Sequence, residues 1–262
     1  VNRTSPANGV TNVPQNVVLD VMYNTPLDPA TVTPQTVRLL QGATEVASTA
    51  TLLPGGNVLR VMSASPLRGA TTFTYELGPG LQASTGQTAL FFRGGFSTGN
   101  TTDSTAPTVV ASSPPDGFTG VGTNVSIRVR FSESVNPLTV TTTSLLLSDA
   151  QGQAIPTTLS FPNNTNNQEV IVTPQIPLAG TMQHTIAVTG VEDLAGNVVL
   201  PLTTRFTTGS GPDVSAPQVV RTNPPVSGAT NVPVTVAVQA ELNEPFDVTS
   251  VGPSNVRLQD NN

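Results

Sequence analysis

A chain of 262 residues with 37% apolar content is long enough for about two domains, each with its own core. Its formal charge of −6 excludes a basic nucleic-acid face, and apolar runs as short as Leu145-Leu146-Leu147 exclude a membrane-spanning helix. With no cysteine there are no disulfides, no thiol catalysis and no zinc–thiolate sites, and all the basic residues are arginine.

The first residues, Val1 to Pro6, do not read as a signal peptide, so an export signal is expected outside this chain. The turn-rich segment Ser5-Pro6-Ala7-Asn8-Gly9-Val10-Thr11-Asn12-Val13 follows. It recurs as Ser113-Pro114-Pro115-Asp116-Gly117-Phe118-Thr119-Gly120-Val121, and again from Pro224 to Val232 with one extra residue. The period of roughly 110 residues is that of a domain rather than of a solenoid unit. Val17, Leu19, Val21 and Tyr23 alternate with polar or outward-facing residues and predict a half-buried strand. Tyr23-Asn24-Thr25-Pro26-Leu27-Asp28 aligns with Phe131 to Asn136 and with Leu242 to Asp247, and Phe96-Ser97-Thr98 aligns with Phe206-Thr207-Thr208.

These matches divide the chain into a first domain at 1–98, a linker at 99–107, a second domain at 108–208, a linker at 209–217 and a partial third domain at 218–262. Both linkers begin with Gly and end in Asp-x-x-Ala-Pro, where proline fixes φ. In the second repeat, Val125, Ile127, Val129 and Phe131 give the clearest alternation, with Arg128 and Arg130 expected on the solvated face. Further strands are expected near 108–112, 144–148, 155–160, 168–173, 182–189 and 198–207, seven in all. The third repeat offers Val236, Val238, Ala240 and Leu242 as the same strand, and holds about the first three strands of a sandwich. The chain therefore reads as a window from a longer array, with the missing strands expected from elsewhere. No segment sustains a helical period, so the fold class is all-β: tandem immunoglobulin-like β-sandwich domains joined end to end by short Pro-containing linkers.

Five segments occur in one order: Pro114-Pro115-Asp116-Gly117, Val125 to Glu133, Pro177-Leu178-Ala179-Gly180-Thr181, Asp193-Leu194-Ala195-Gly196-Asn197 and Phe206-Thr207-Thr208. That order resembles the bacterial Ig-like domain of S-layer proteins and large surface adhesins. The resemblance implies extracellular, tandem, non-catalytic modules that space, assemble or stick, some with calcium between domains. Where that family often has a tyrosine near the start of the sixth strand, this chain has Phe73 and His184, so the tie made by the hydroxyl is absent.

His184 is the only histidine and shares a face with Met182, Ile186 and Val188, which makes it a core or rim residue. It lacks the nucleophile or orienting carboxylate that a catalytic base needs, and no residue is assigned a catalytic or cofactor-binding role. Gly78-Pro79-Gly80 and Gly94-Gly95 read as turns, not phosphate loops. Four tripeptides match the N-glycosylation pattern, at Asn2, Asn100, Asn124 and Asn163, as chance permits in a chain rich in Asn and Thr. The residues from Asn163 to Asn167 read as a hairpin tip.

The carboxylates carry more information. In an up-and-down reading of the seven strands, the loops bearing Glu133 and Asp193 fall at the same end, where linker residue Asp103 also enters. Asp213 and Glu244 repeat two of these positions at the second junction. The five are candidate interdomain Ca²⁺ ligands, because Ca²⁺ takes 6–8 oxygens and extracellular modules bind it at about 10⁻⁴–10⁻³ M. The alternative is structural, with Asp193 in an Asx turn and Asp103 capping the linker turn. The outer end of the first repeat has Thr25 and Gln82 instead and is expected to bind no metal.

The function expected from these features is structural or adhesive: domains strung into a fibre, stalk or S-layer-like coat, with self-association, neighbouring domains, other surface proteins or glycans as partners. Two alternatives remain, a spacer in a larger secreted carbohydrate-active enzyme, or a filament subunit completed by a neighbour's strand. A carbohydrate-binding platform is the weakest reading, since tryptophan is absent and only two tyrosines occur.

Overall fold

In the computed structural model, residues 1–163, 165–226, 229–244 and 246–259 are described. Ser227 and Gly228 of the third turn segment, Pro245 of the third strand-end segment, Asn164 of the hairpin tip and residues 260–262 lie outside them.

The alternation of the first repeat produces eight strands: β1 (Arg3–Ser5), β2 (Val18–Met22), β3 (Val37–Gln41), β4 (Thr44–Glu45), β5 (Ser48–Leu52), β6 (Val58–Ser63), β7 (Thr72–Leu77) and β8 (Phe92–Ser97). They pair as two sheets, β1-β2-β6-β5 and β4-β3-β7-β8, facing each other across Leu19, Val21, Leu59, Phe73, Tyr75 and Phe96. An antiparallel sandwich sheet usually keeps one face in water. Strand β2 does not: Val18 and Asp20, on its outward positions, are as buried as Leu19 and Val21.

The second repeat forms β9 (Val109–Ser113), β10 (Phe118–Val121), β11 (Ile127–Phe131), β12 (Leu145–Ser148), β13 (Thr157–Ser160), β14 (Glu169–Pro174), β15 (Gln183–Val188) and β16 (Leu202–Thr208). Its sheets are β13-β14-β11-β9 and β10-β16-β15-β12, with Ile127, Val129 and Phe131 pointing inward. Strand β10 is not among the seven expected. It runs parallel to β16, Phe118 opposite Phe206, so the topology is that of an immunoglobulin sandwich rather than up-and-down. In the first repeat the same parallel contact shrinks to one bridge, Val13 to Thr98. Strand β11 starts at Ile127, not Val125, and β16 at Leu202, because Val198 is taken by a bridge to Glu192. Each sandwich buries its own apolar cluster, and Leu194 of the second packs against the cluster of the first.

The two tyrosine-slot residues are core residues. Phe73 stacks on Phe96 at 5.9 Å and His184 on Phe206 at 5.5 Å. His184 is 1% exposed, and its Nδ1–H donates to the Met182 carbonyl at 3.1 Å. Burial lowers its pKa, against the opposing pull of that hydrogen bond and of Asp149. A lowered folded-state pKa means the unfolded chain takes up the proton first. Stability from His184 is therefore present above the ordinary value near 6.5 and lost as pH falls below it. His184→Phe, which copies the first repeat, is expected to remove that acid sensitivity; melting curves at pH 5 and 7.5 check it.

Among the described residues of the third repeat, β17 (Val219–Asn223) pairs only with β18 (Gln239–Leu242). The expected strand is shorter than its alternation, and Val238 is 58% exposed. A single 3₁₀ turn, Val248–Ser250, follows.

Candidate functional site

The outward face of β2 and β6 explains the buried polar positions. Asp20 and Arg60 lie opposite each other in the ladder. Arg60 grips Asp20 with two parallel bonds, Nε to Oδ1 and Nη2 to Oδ2, both 2.8 Å. The second sandwich covers this pair. Glu192 takes Arg60 Nη2 at 2.6 Å, and Asn136 donates its Nδ2 to Asp20 Oδ2 at 2.7 Å. The Val18 N–H donates to the Leu194 carbonyl at 2.8 Å. The loop end of the second sandwich thus sits on the outward sheet face of the first. Gly196, at φ +86°, makes the fit: a Cβ there would lie 3.1 Å from Val18 Cγ2.

The linker is held halfway along. Asn16, just before β2, accepts from the Asp103 N–H at 2.9 Å and donates to its carbonyl at 2.6 Å. Asn124 treats Asp213 identically, at 3.0 and 2.8 Å. This clamp was not anticipated from sequence, although Asn16-Val17 and Asn124-Val125 occupy the same place in two repeats. Asn16→Ala is expected to cost about 1 kcal/mol and to raise protease sensitivity within 99–107; limited proteolysis and melting check both.

The clamp presents Asp103 to the second sandwich. Asp103, Glu133 and Asp193 each offer a carboxylate oxygen, all within 4.8 Å of one another, so the structure brings the three predicted acids together. The structural roles are present too. Asp193 Oδ1 accepts from the Ala195 and Asn197 N–H groups at 2.7 and 2.9 Å, its Oδ2 accepts from Asn197 Nδ2, and Asp103 Oδ1 caps Thr105 N–H at 3.0 Å. Glu133 bears the cost of crowding. Burial, then the charge of Asp103 and a hydrogen bond shared with it, then the charge of Asp193, push its pKa up to about 7. Three hard oxygen donors with spare lone pairs fit a cation such as Ca²⁺, with carbonyls or water completing the shell. A shared proton relieves the same repulsion.

At the second junction Asp213 Oδ1 caps Ser215 N–H at 3.0 Å, and Glu244 lines a cavity of about 660 Å³ that Asp213 also borders. Asp247 borders the same cavity, but among the described residues these acids do not close to within 4.8 Å of one another as the first three do. The bridges Leu27–Ala83 and Val135–Asp193 place Ala83 at the Asp193 position and Gln82 at that of Glu192. Arg128 and Arg130 lie on the outward face as expected, with side chains 35% and 41% exposed, but they are also engaged. Arg128 pairs with Glu169 at 2.6 Å and Asp247 at 2.7 Å, and Arg130 donates to the Thr249 carbonyl at 2.5 Å. Their strand alternation is right; what covers that face is the third repeat.

Two sandwiches of immunoglobulin topology, one docked on the other beside a clamped linker, define a tandem Ig-like protein. The sequence signature of the bacterial Ig-like domain matches residues 1–98 and 103–208, and the chain belongs to that family. A search of curated proteins finds no match. Among solved structures the chain is similar to CopC from Methylosinus trichosporium OB3b, at 16% identity and TM-score 0.35, over 42% of this chain and 99% of that one. It is also similar to the S-layer protein SbsC, at 14% identity and TM-score 0.31, over 82% of this chain and 26% of that one. An L,D-transpeptidase from Mycobacterium tuberculosis H37Rv matches at 12% identity and TM-score 0.26, over 62% of this chain and 59% of that one. The chain spans about a quarter of the S-layer protein's length. No helix among the described residues is long and apolar enough to cross a membrane.

Proposed function

We propose that this chain is a non-catalytic structural segment of a bacterial surface or secreted protein, whose task is to hold successive Ig-like domains in fixed relation. The observation that carries this reading is the network of buried Asp20 and Asn136 with half-buried Arg60 and Glu192, which ties one sandwich to the next. Such a set resists bending only while both sandwiches stay docked, which suits reach and spacing and contributes nothing to turnover. The acids Asp103, Glu133 and Asp193 add a Ca²⁺ site at the same joint, with Asp213 and Glu244 as its lesser counterpart at the next. The partners are then neighbouring domains and other copies in a surface array, with glycans or other surface proteins beyond them.

Small-angle scattering of the full chain tests the reading. A distance distribution that one fixed arrangement of residues 1–208 fits supports it, and one that requires an ensemble of hinge angles overturns it. Melting in chelator and in millimolar Ca²⁺ tests the metal separately. A rise in Tm with Ca²⁺ that Glu133→Gln abolishes is the expected result, and superimposable curves would remove calcium from the account.

A further inference from the structure

The same turn position does the docking in each repeat, with different chemistry. Asp28, Asn136 and Asp247 are equivalent in the alignment, and each caps its own turn. Their Oδ1 atoms accept from the N–H of Ala30 at 2.9 Å, of Leu138 at 3.0 Å and of Thr249 at 2.9 Å. That bond fixes which side-chain atom is left over. In Asn136 it is the Nδ2 donor; in the two aspartates it is an Oδ2 acceptor.

The leftover atom reaches the preceding sandwich at one equivalent strand position. Asn136 Nδ2 meets Asp20 on β2, and Asp247 Oδ2 meets Arg128 on β11. Both pairs match donor to acceptor, but with the polarity reversed: acceptor on the strand at the first junction, donor on the strand at the second. We propose that this turn residue and the strand residue it touches form a key that selects which domain docks behind which.

The wrong pairings set like groups against each other. The third repeat's Asp247 set on Asp20 would place two carboxylates in contact, and Arg60, the donor at that spot, already serves Asp20 and Glu192. The second repeat's Asn136 set on Arg128 would face donor to donor. Turning its amide over would restore that contact only by pointing NH₂ at the Leu138 N–H, breaking the cap. Neighbours reinforce the choice. Glu192 completes the first junction through Arg60, whereas at the second Glu169, on β14 of the same sandwich, holds Arg128 and Arg130 in place for the incoming turn. The surface is therefore fitted to an Ig-like domain whose turn offers a donor to β2 or an acid to β11.

The inference rests on the docked arrangement proposed above, and one substitution separates the two. Asn136→Asp keeps the cap, since Asp28 and Asp247 make the same bond in this chain. It changes only what is offered to Asp20. In the full chain at pH 7.5, Asn136→Asp is expected to lower the Tm by roughly 5 °C or more and to broaden the scattering distribution. The mirror variant Asp247→Asn also keeps its cap and offers a donor to Arg128; it is expected to loosen the second junction and leave the first intact. Rigid wild-type scattering with an unaffected Asn136→Asp variant would overturn the key while leaving the docked arrangement standing. A second junction indifferent to Asp247→Asn would also overturn it. A wild-type chain that hinges freely would remove the docked arrangement and the key together.

Discussion

Arg60→Met is expected to destabilise the first two domains by about 3–5 kcal/mol, the cost of leaving a buried charge without its partner. Asp20 is 0% exposed, and Arg60 supplies two of its three hydrogen bonds. Without the guanidinium, Asp20 must either stay charged away from water or take up a proton, and Glu192 loses its contact across the junction. Over a unit of this size the fall in Tm is roughly 10 °C or more. A double-mutant cycle with Asp20→Leu gives the sharper measurement. Removing both members is expected to cost less than removing Arg60 alone, because an apolar pair needs no solvation. A loss below about 1 kcal/mol for Arg60→Met, in the range of exposed ion pairs, would show that water reaches the pair and that the junction stands open.

The second large effect is a stability that falls as pH rises. The carboxyl of Glu133 titrates near 7 in the folded chain, against 4.5 ordinarily. Between those values the folded state holds a proton that the unfolded state has released, so folding is favoured on the acid side. The contribution is complete below about 4.5 and is lost as pH climbs through about 7. Full conversion of the shift would overstate it, because Glu133 is partly exposed and solvent screens the site; about 1–2 kcal/mol is expected. The groups that face Glu133 are Asp103 and Asp193. His184 contributes the opposite slope over part of the same range, so the measurement is best made in the His184→Phe background. There, Tm is expected to decline from pH 5 to 8, Glu133→Gln to flatten the curve, and millimolar Ca²⁺ to restore the loss at pH 8. A flat curve with Glu133 intact would mean the three acids are well solvated and apart.

The sandwich fold was legible because its signals are local. Alternation in Ile127 to Phe131 and the recurring turn segments state strand, face and period without reference to any other part of the chain. Strand β10 was not legible. Phe118-Thr119-Gly120-Val121 carries no alternation, and its partner β16 lies far along the sequence. The meeting of Asp103, Glu133 and Asp193 could be read from which loops share an end. Their roles as turn caps could be read as well, so the same residues supported two accounts. The network at Asp20 was invisible for a different reason. Asp20 and Arg60 sit on outward positions, where polar residues are normally solvated, and nothing near them in sequence announces that another domain covers that face. The contacts of Arg128 and Arg130 with the third repeat were hidden on the same ground, although their outward, partly solvated placement was legible. A polar residue on an outward strand position is ambiguous until its neighbour in space is known.

The two-point hold of Asn16 on Asp103 has a consequence for assembly. It divides the segment between the sandwiches into two short leashes, each only a few residues long. Docking is then a reaction between tethered surfaces, for which short links give local concentrations in the millimolar range. A contact too weak to bring separate molecules together would still be almost always closed within one chain. Cutting the backbone beside Asp103 would therefore release the neighbours from each other without altering a single atom of the surfaces through which they touch.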